Sequence, residues 1–221
     1  MSLTSRIIHA LFNSRVEVES LRSCELTDSV VSRDSVRQVY SHLAAAPEGE
    51  HPFATGRAMA ESAGYSADLL DSLPALSVDA FAGVSNVGAF ADIPAGARVL
   101  DIGCGAGLDS LIAARKVGPD GCVIGIDFSD TMLERAQRAA LVASIENVEF
   151  RRADAEEIPI DDESVDLVLV NGLFNLNSDR TKIFAEIARV LKPGGSIFAS
   201  ELIVREPLPE EFLNDPANWF A

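Results

Sequence analysis

Aromatic residues, cysteine and positive charge are all scarce in this chain. Cysteine occurs three times, as Cys24, Cys104 and Cys122, with no CxxC pair. An odd, scattered count gives no disulfide framework and fits a reducing, cytoplasmic location. Lysine and arginine number 18 against 34 aspartates and glutamates, a net charge of -16. Nucleic acid and anionic membranes attract the opposite balance, so neither is expected as a partner. Long apolar runs are also missing: nothing approaches membrane-spanning length. The opening MSLTSRIIHALFNS lacks the extended apolar region and cleavage site of a secretory signal. There is no internal repeat and no low-complexity tract. What is present is ordinary for a soluble globular protein, with 48% apolar residues in 221.

Two regions differ in texture. Residues 1–95 lack regular alternation of strands and helices. Val36 to Ala45 and Ser66 to Leu73 have helical spacing, Ala45 to Gly56 is a Pro/Gly loop, and RVEVESL, Arg15 to Leu21, alternates weakly like a strand. Residues 96–221 alternate strand and helix. RVLDI, GCVIGID, NVEFRRAD, VDLVLVN and SIFASELIV read as five strands, with Asp130 capping the helix after the second and LKPGG ending the helix before the fifth. The expected fold class is α/β, a doubly wound, mostly parallel Rossmann-like sheet with a helical N-terminal extension. Ligands of such sheets bind beyond the carboxyl ends of the strands. That singles out Asp101 to Gly107, Asp127, Asp154 and Asn171.

The loop is VLDIGCGAGLDS. Gly103, Gly105 and Gly107 read G-x-G-x-G, one residue short of the dinucleotide fingerprint G-x-G-x-x-G. Asp101 stands where a pyrophosphate would be repelled and a cation welcomed. S-adenosylmethionine carries two positive groups, a sulfonium and an ammonium. Asp127 ends the next strand, and an acid about 20 residues beyond such a loop accepts hydrogen bonds from ribose hydroxyls. Phe128 and Met132 follow and suit an adenine ring, and Asp154 suits its amino group. Each has a plain structural explanation as turn, core or solvated carboxylate. Their convergence at three successive strand ends favours one crevice.

These motifs, with RRADAEEIPIDDESVDLVLVNG and EIARVLKPGGSI, resemble the class I S-adenosylmethionine-dependent methyltransferases from about Ala97 to Val204. GAGLDSLIAARKVGPDG, NGLFNL, LPEEFLNDPANW and the upstream FAGVSNV are similar to the arsenite methyltransferase branch. The resemblance implies that Asp101, Gly103, Gly105 and Gly107 hold the methionine part. Cys104 belongs to the same cofactor-binding loop, where its small side chain reads as a packing residue. The resemblance further implies Asp127 at the ribose, Phe128, Met132, Asp154 and Ala155 at the adenine, and Asn171 near the methyl group. Tyr40 would help close the pocket, and Phe81 to Val87 would cover the cofactor. It also implies thiolates for trivalent arsenic. Gly172 occupies one of those places, and the sequence ends at Ala221 before another, so the arsenic site is not matched.

The resemblance implies seven strands where five are legible, and an uncovered edge invites a homodimer or a swapped strand. The expected activity is methyl transfer to a small-molecule acceptor, arsenite or a quinone-like phenol among the candidates. The alternatives are a cofactor-binding domain without turnover and, against the loop spacing, a nicotinamide-dependent oxidoreductase. No metal and no definite catalytic side chain is expected. His42, His51 and Glu201 are candidate bases for an acceptor that must lose a proton.

Overall fold

The computed structural model describes residues 33–177 and 179–203. The weak strand signal at Arg15 to Leu21, and Cys24, lie outside the described residues. The five expected strands form one sheet: β1 (Arg98–Ile102), β2 (Cys122–Asp127), β3 (Val148–Arg152), β4 (Val165–Asn171) and β5 (Leu191–Ser200). Every pairing is parallel and the order is β3-β2-β1-β4-β5. The chain builds outward from β1 to β3, then returns to lay β4 on the other side of β1. This reversal is the switch point at which open α/β sheets bind ligands.

Among the described residues, five helices precede the sheet: α1 (Arg33–Ala45), α2 (Gly56–Ser62), α3 (Ala67–Asp71), α4 (Ala75–Val78) and α5 (Val87–Phe90). Three more connect its strands: α6 (Leu108–Val117), α7 (Asp130–Val142) and α8 (Arg180–Val190). Both sheet faces are covered, which explains the nearly continuous apolar strands. Leu100, Ile102, Ile124, Ile126, Val168 and Val170 pack with Ile183, Ile187 and Val190 of α8. On the opposite face Val99, Val123, Leu167 and Leu169 pack with Ala113, Ala114 and Val117 of α6. Alternation along β1 turns Asp101 toward the α6 face, within reach of Ser110.

Three local expectations shift. The cap of α7 is Ser129, whose hydroxyl accepts from the Met132 amide at 3.4 Å; Asp130 is the first helical residue. The hydroxyl competes better here because Asp127 already fixes the Ser129 amide. β5 starts at Leu191, so the KPGG stretch that ends α8 runs on as extended chain, with a register irregularity opposite Val165–Leu167. It stops at Ser200 rather than continuing to Val204.

The preceding helices form a cap fastened by cations from the core. Arg135 of α7 donates to Leu76 O at 2.5 Å and Ala44 O at 3.1 Å. Arg115 of α6 donates to Ser72 Oγ and O at 2.8 and 2.6 Å. Lys116 donates to Ala89 O and Ala91 O at 2.7 and 2.9 Å. These carbonyls lie at or near the C-terminal ends of α1, α3, α4 and α5, where orphan carbonyls and the helix dipole favour positive charge.

Candidate active site

The carboxyl ends of β1, β2 and β4 open into a cavity of about 690 Å³, part of it open to solvent. Its floor is the glycine loop. Gly103, Gly105 and Gly107 have φ of 72°, 51° and 83°, a backbone other residues adopt only with strain. The loop is pinned beneath by two amides, Gly103 N and Cys104 N, which donate to Ile126 O at 2.8 and 3.0 Å. The glycines serve different ends. A Cβ on Gly107 would lie 3.0 Å from Ala136 and Phe150, whereas one on Gly105 would meet nothing closer than Met132 Sδ at 4.0 Å. Gly107 allows packing, and Gly105 leaves open space above the loop.

Two buried carboxylates flank this floor. Asp127 accepts from Gly105 N at 2.9 Å through one oxygen and from Ser129 N at 2.8 Å through the other. It therefore shapes the loop and the entry to α7 together. Burial pushes its carboxyl up to about 6, against the opposing backbone amides of Ser129, Gly105 and Phe128. The carboxylate keeps acceptor capacity beyond these amides. Asp101 is 2% exposed and accepts from Ser110 Oγ at 2.5 Å. Burial, and then the neighbouring Asp109, push its carboxyl up to about 8. Such a group is costly to ionise until a cation arrives.

Phe128 and Met132 line the same wall, as do Gly103, Cys104 and Asn171. Burial, then Asp127 and Asp101, hold the Cys104 thiol well above its ordinary range, so it packs rather than reacts. Gly107, Asp154 and Ala155 are not among the lining residues. Asp154 forms an isolated bridge with Glu157, two residues beyond β3, and Ala155 packs beside the α8 core. The cap supplies the facing wall through Tyr40 and Phe81 to Gly83. Tyr40 packs tilted against Phe53, with ring centroids 5.4 Å apart. Burial raises the Tyr40 hydroxyl, and Asp127 and Glu201 add to the rise.

Of the candidate bases, neither histidine lines the cavity. The Glu201 carboxylate is engaged by the amides of Phe174 at 2.5 Å, Asn175 at 3.2 Å and Leu202 at 3.0 Å. It holds the turn Phe174–Leu176 in place, and burial raises its carboxyl against those amides. Asn171 lines the cavity, and its side-chain amide bonds the cap segment and Asp109. Sequence reading passed over Asp109 and Tyr65, which meet in a buried hydrogen bond. The signal was an acid inside the otherwise apolar LDSLIAA. Among the described residues no cluster of three metal-ligating side chains occurs, and no helix is long and apolar enough to cross a membrane.

A family model described as a methyltransferase domain matches residues 93–220. An arsenite methyltransferase of Halobacterium salinarum is 40% identical over 156 residues, 71% of this chain and 40% of that protein. A demethylmenaquinone methyltransferase of Listeria monocytogenes is 40% identical over 103 residues, 46% of this chain and 43% of that protein. The chain thus spans less than half the length of these curated relatives. The crystal structure of an arsenic(III) S-adenosylmethionine methyltransferase from Chlamydomonas reinhardtii superposes with a TM-score of 0.57 at 28% identity, covering 75% of this chain and 56% of that one. The match over 93–220, falling on the same loop and strand ends that build the pocket, shows that the chain belongs to the methyltransferase-domain family, as a class I S-adenosylmethionine-dependent member.

Proposed function

We propose that this chain binds S-adenosylmethionine at the glycine loop and transfers a methyl group to a small-molecule acceptor. The observation that carries this is the pair of buried carboxylates, Asp101 and Asp127, on either side of a loop with open space above Gly105. The residues fit the cofactor. Asp101 offers a buried negative charge to the cationic methionine end, and Asp127 offers free acceptor positions to the ribose hydroxyls. Phe128 and Met132 offer an apolar wall to the adenine.

The cofactor supplies an activated methyl on a positively charged sulfur. The protein's part is alignment and exclusion of water. Gly103 and Gly105 let the backbone come close, and Asp127 keeps the loop in that shape. The described part of residues 1–95 is the lid: Tyr40 and Phe81 to Gly83 cover the pocket from the cap side, and Leu173 and Leu176 give its rim an apolar lining. No base is required of the protein when the acceptor is already a nucleophile.

Nothing among the described residues supports a thiolate-bound arsenical as the acceptor. Among the described residues the cysteines are Cys104, buried in the loop, and Cys122, exposed at the start of β2. The two lie at opposite ends of the sheet, and a soft ion needs thiolates together. A quinone-like phenol fits the apolar rim. The test is incubation with methyl-labelled S-adenosylmethionine and separate acceptors, arsenite and substituted phenols included. Label on a phenol supports this reading. Label on arsenite corrects the acceptor. Cofactor binding without transfer to any acceptor supports the second reading, a binding domain without turnover, which the missing cysteine at Gly172 favours.

A further inference from the structure

The side chain of Asn171 has no hydrogen bond left to give a ligand. Its Oδ1 accepts from Val84 N at 2.9 Å and Ser85 N at 3.2 Å. Its Nδ2 donates to Ser85 O at 2.7 Å and Asp109 Oδ2 at 2.8 Å. A side-chain amide has two lone pairs and two N–H bonds, and all four are used. Flipping it would oppose donors to donors and acceptors to acceptors, so its orientation is fixed by its partners.

Asp109 completes the arrangement from the first turn of α6. Its Oδ1 accepts from Gly88 N at 2.8 Å and from the Tyr65 hydroxyl. One carboxylate thereby joins the end of β4, the segment 83–88 and the chain before α3. The sequence makes room for this. A Cβ on Gly83 would lie 2.6 Å from Asn171 Nδ2, and one on Gly88 would lie 2.5 Å from Asp109 Oδ1. Neither glycine has a positive φ, so space rather than backbone conformation requires them. Both Asp109 and Gly83 line the cofactor cavity.

We propose that Asp109 is a positioning residue that, with Asn171 and Tyr65, clasps segment 83–88 across the pocket, so that cofactor binding and the order of that segment are coupled. This rests on the cofactor reading above. The coupling is electrostatic. Asp109 and Asp101 are buried neighbours, and each disfavours the other's charge. Burial raises the Asp109 carboxyl, against the bonds from Tyr65, Asn171 and Gly88. Positive groups bound in the cavity that Asp109 itself lines favour its charged form, which strengthens its bonds to Gly88 and Asn171. By reciprocity, a fastened segment raises affinity for the cation.

The experiment uses the full chain, with hydrogen exchange of residues 83–88 measured with and without S-adenosylmethionine, and calorimetric affinity measured in parallel. In the wild type the cofactor slows exchange at Val84, Ser85 and Gly88. Asn171→Ala speeds exchange there without cofactor and weakens cofactor binding about tenfold. Asn171→Asp does not rescue, since it has no donors and faces Asp109. Tyr65→Phe, which removes one hydroxyl, shifts both readouts the same way by less, and it carries the test if Asn171→Ala does not fold. A merely structural Asn171 would leave cofactor-dependent protection of 84–88 intact. That result, or wild-type affinity in the variants, overturns the clasp. A wild-type chain that fails to bind S-adenosylmethionine overturns the cofactor reading and the coupling with it. Exchange without cofactor still reports whether Asn171 holds the segment.

Discussion

The two walls of the pocket are built on different principles. The core wall is made of strand ends and the turns that follow them. Its key bonds, Gly105 N to Asp127 and Ser110 Oγ to Asp101, join residues on neighbouring elements of one repeating pattern. The cap wall is made of helices and turns that no ladder holds. It is fixed by side chains reaching across the sequence: Arg135 to Ala44, Asn171 to Val84, and Ser41 Oγ to Ser129 Oγ at 2.9 Å. The core wall carries the two buried acids, and the cap wall faces it across the cavity. The first follows from backbone geometry and the second from a few individual contacts, so they should fail in different ways.

The largest difference is expected at the glycines. Gly107→Val adds bulk against Ala136 and Phe150 at a positive φ, and should cost roughly 2–5 kcal/mol of stability. In thermal unfolding that is a drop of about 10 °C. Gly105→Ala meets open space, so only the strained φ is felt, at roughly 1–2 kcal/mol. Its main effect should be on cofactor affinity, read by calorimetry. Equal losses of stability in the two variants would erase the distinction between a packing glycine and a ligand-facing one.

Asp127→Ala comes next. It removes a charged acceptor from the ribose position and frees Gly105 N, at roughly 1.5–3 kcal/mol of binding, or about 10- to 100-fold in Kd. Unchanged affinity would take Asp127 out of the binding wall.

A pH titration separates the walls by charge. Asp101 has its carboxyl raised from 3.8 to about 8 in the folded protein. A raised carboxyl gives stability that is full below the unfolded value near 4 and is lost as pH climbs to about 8. The melting temperature of the free protein, relative to Asp101→Asn, should therefore fall across that window. Binding a cation requires the ionised form, so cofactor affinity should rise over the upper part of it, with a proton released. Calorimetry in buffers of different ionisation enthalpy reads that proton. No release at pH 7 would contradict a cation at Asp101.

The cap should respond most weakly. Arg37 Cζ lies 5.6 Å above the Phe128 ring, on a side chain 35% exposed. Arg37→Met should cost only about 0.5–1 kcal/mol of cofactor affinity by loosening Phe128. A loss as large as that of Asp127→Ala would mean that the cap helix takes a direct part in binding.

This contrast also explains what the sequence disclosed. Glycine spacing, apolar strands and terminal acids are short-range signals, and they led to five parallel strands and to Asp101, Gly105 and Asp127. The shortest cap helices, α4 and α5, are too brief for a periodic stripe. Ser129 displaced Asp130 as a cap because of a bond to Asp127 that no local pattern records. Asn171 is legible as a strand-end residue at the pocket, but not as the anchor of segment 83–88. Its partners lie 86 and 62 positions away, and nothing near it in sequence announces them. Asp109 was hidden for the same reason, since a buried acid in an apolar helix makes sense only beside Tyr65 and Gly88.

We propose the bare loop between two buried acids as a site for a cationic nucleoside. Its most direct test is calorimetric titration of the full chain with S-adenosylmethionine and, separately, with NADH. Saturable binding of S-adenosylmethionine alone is expected. Binding of NADH, or of neither, would contradict it.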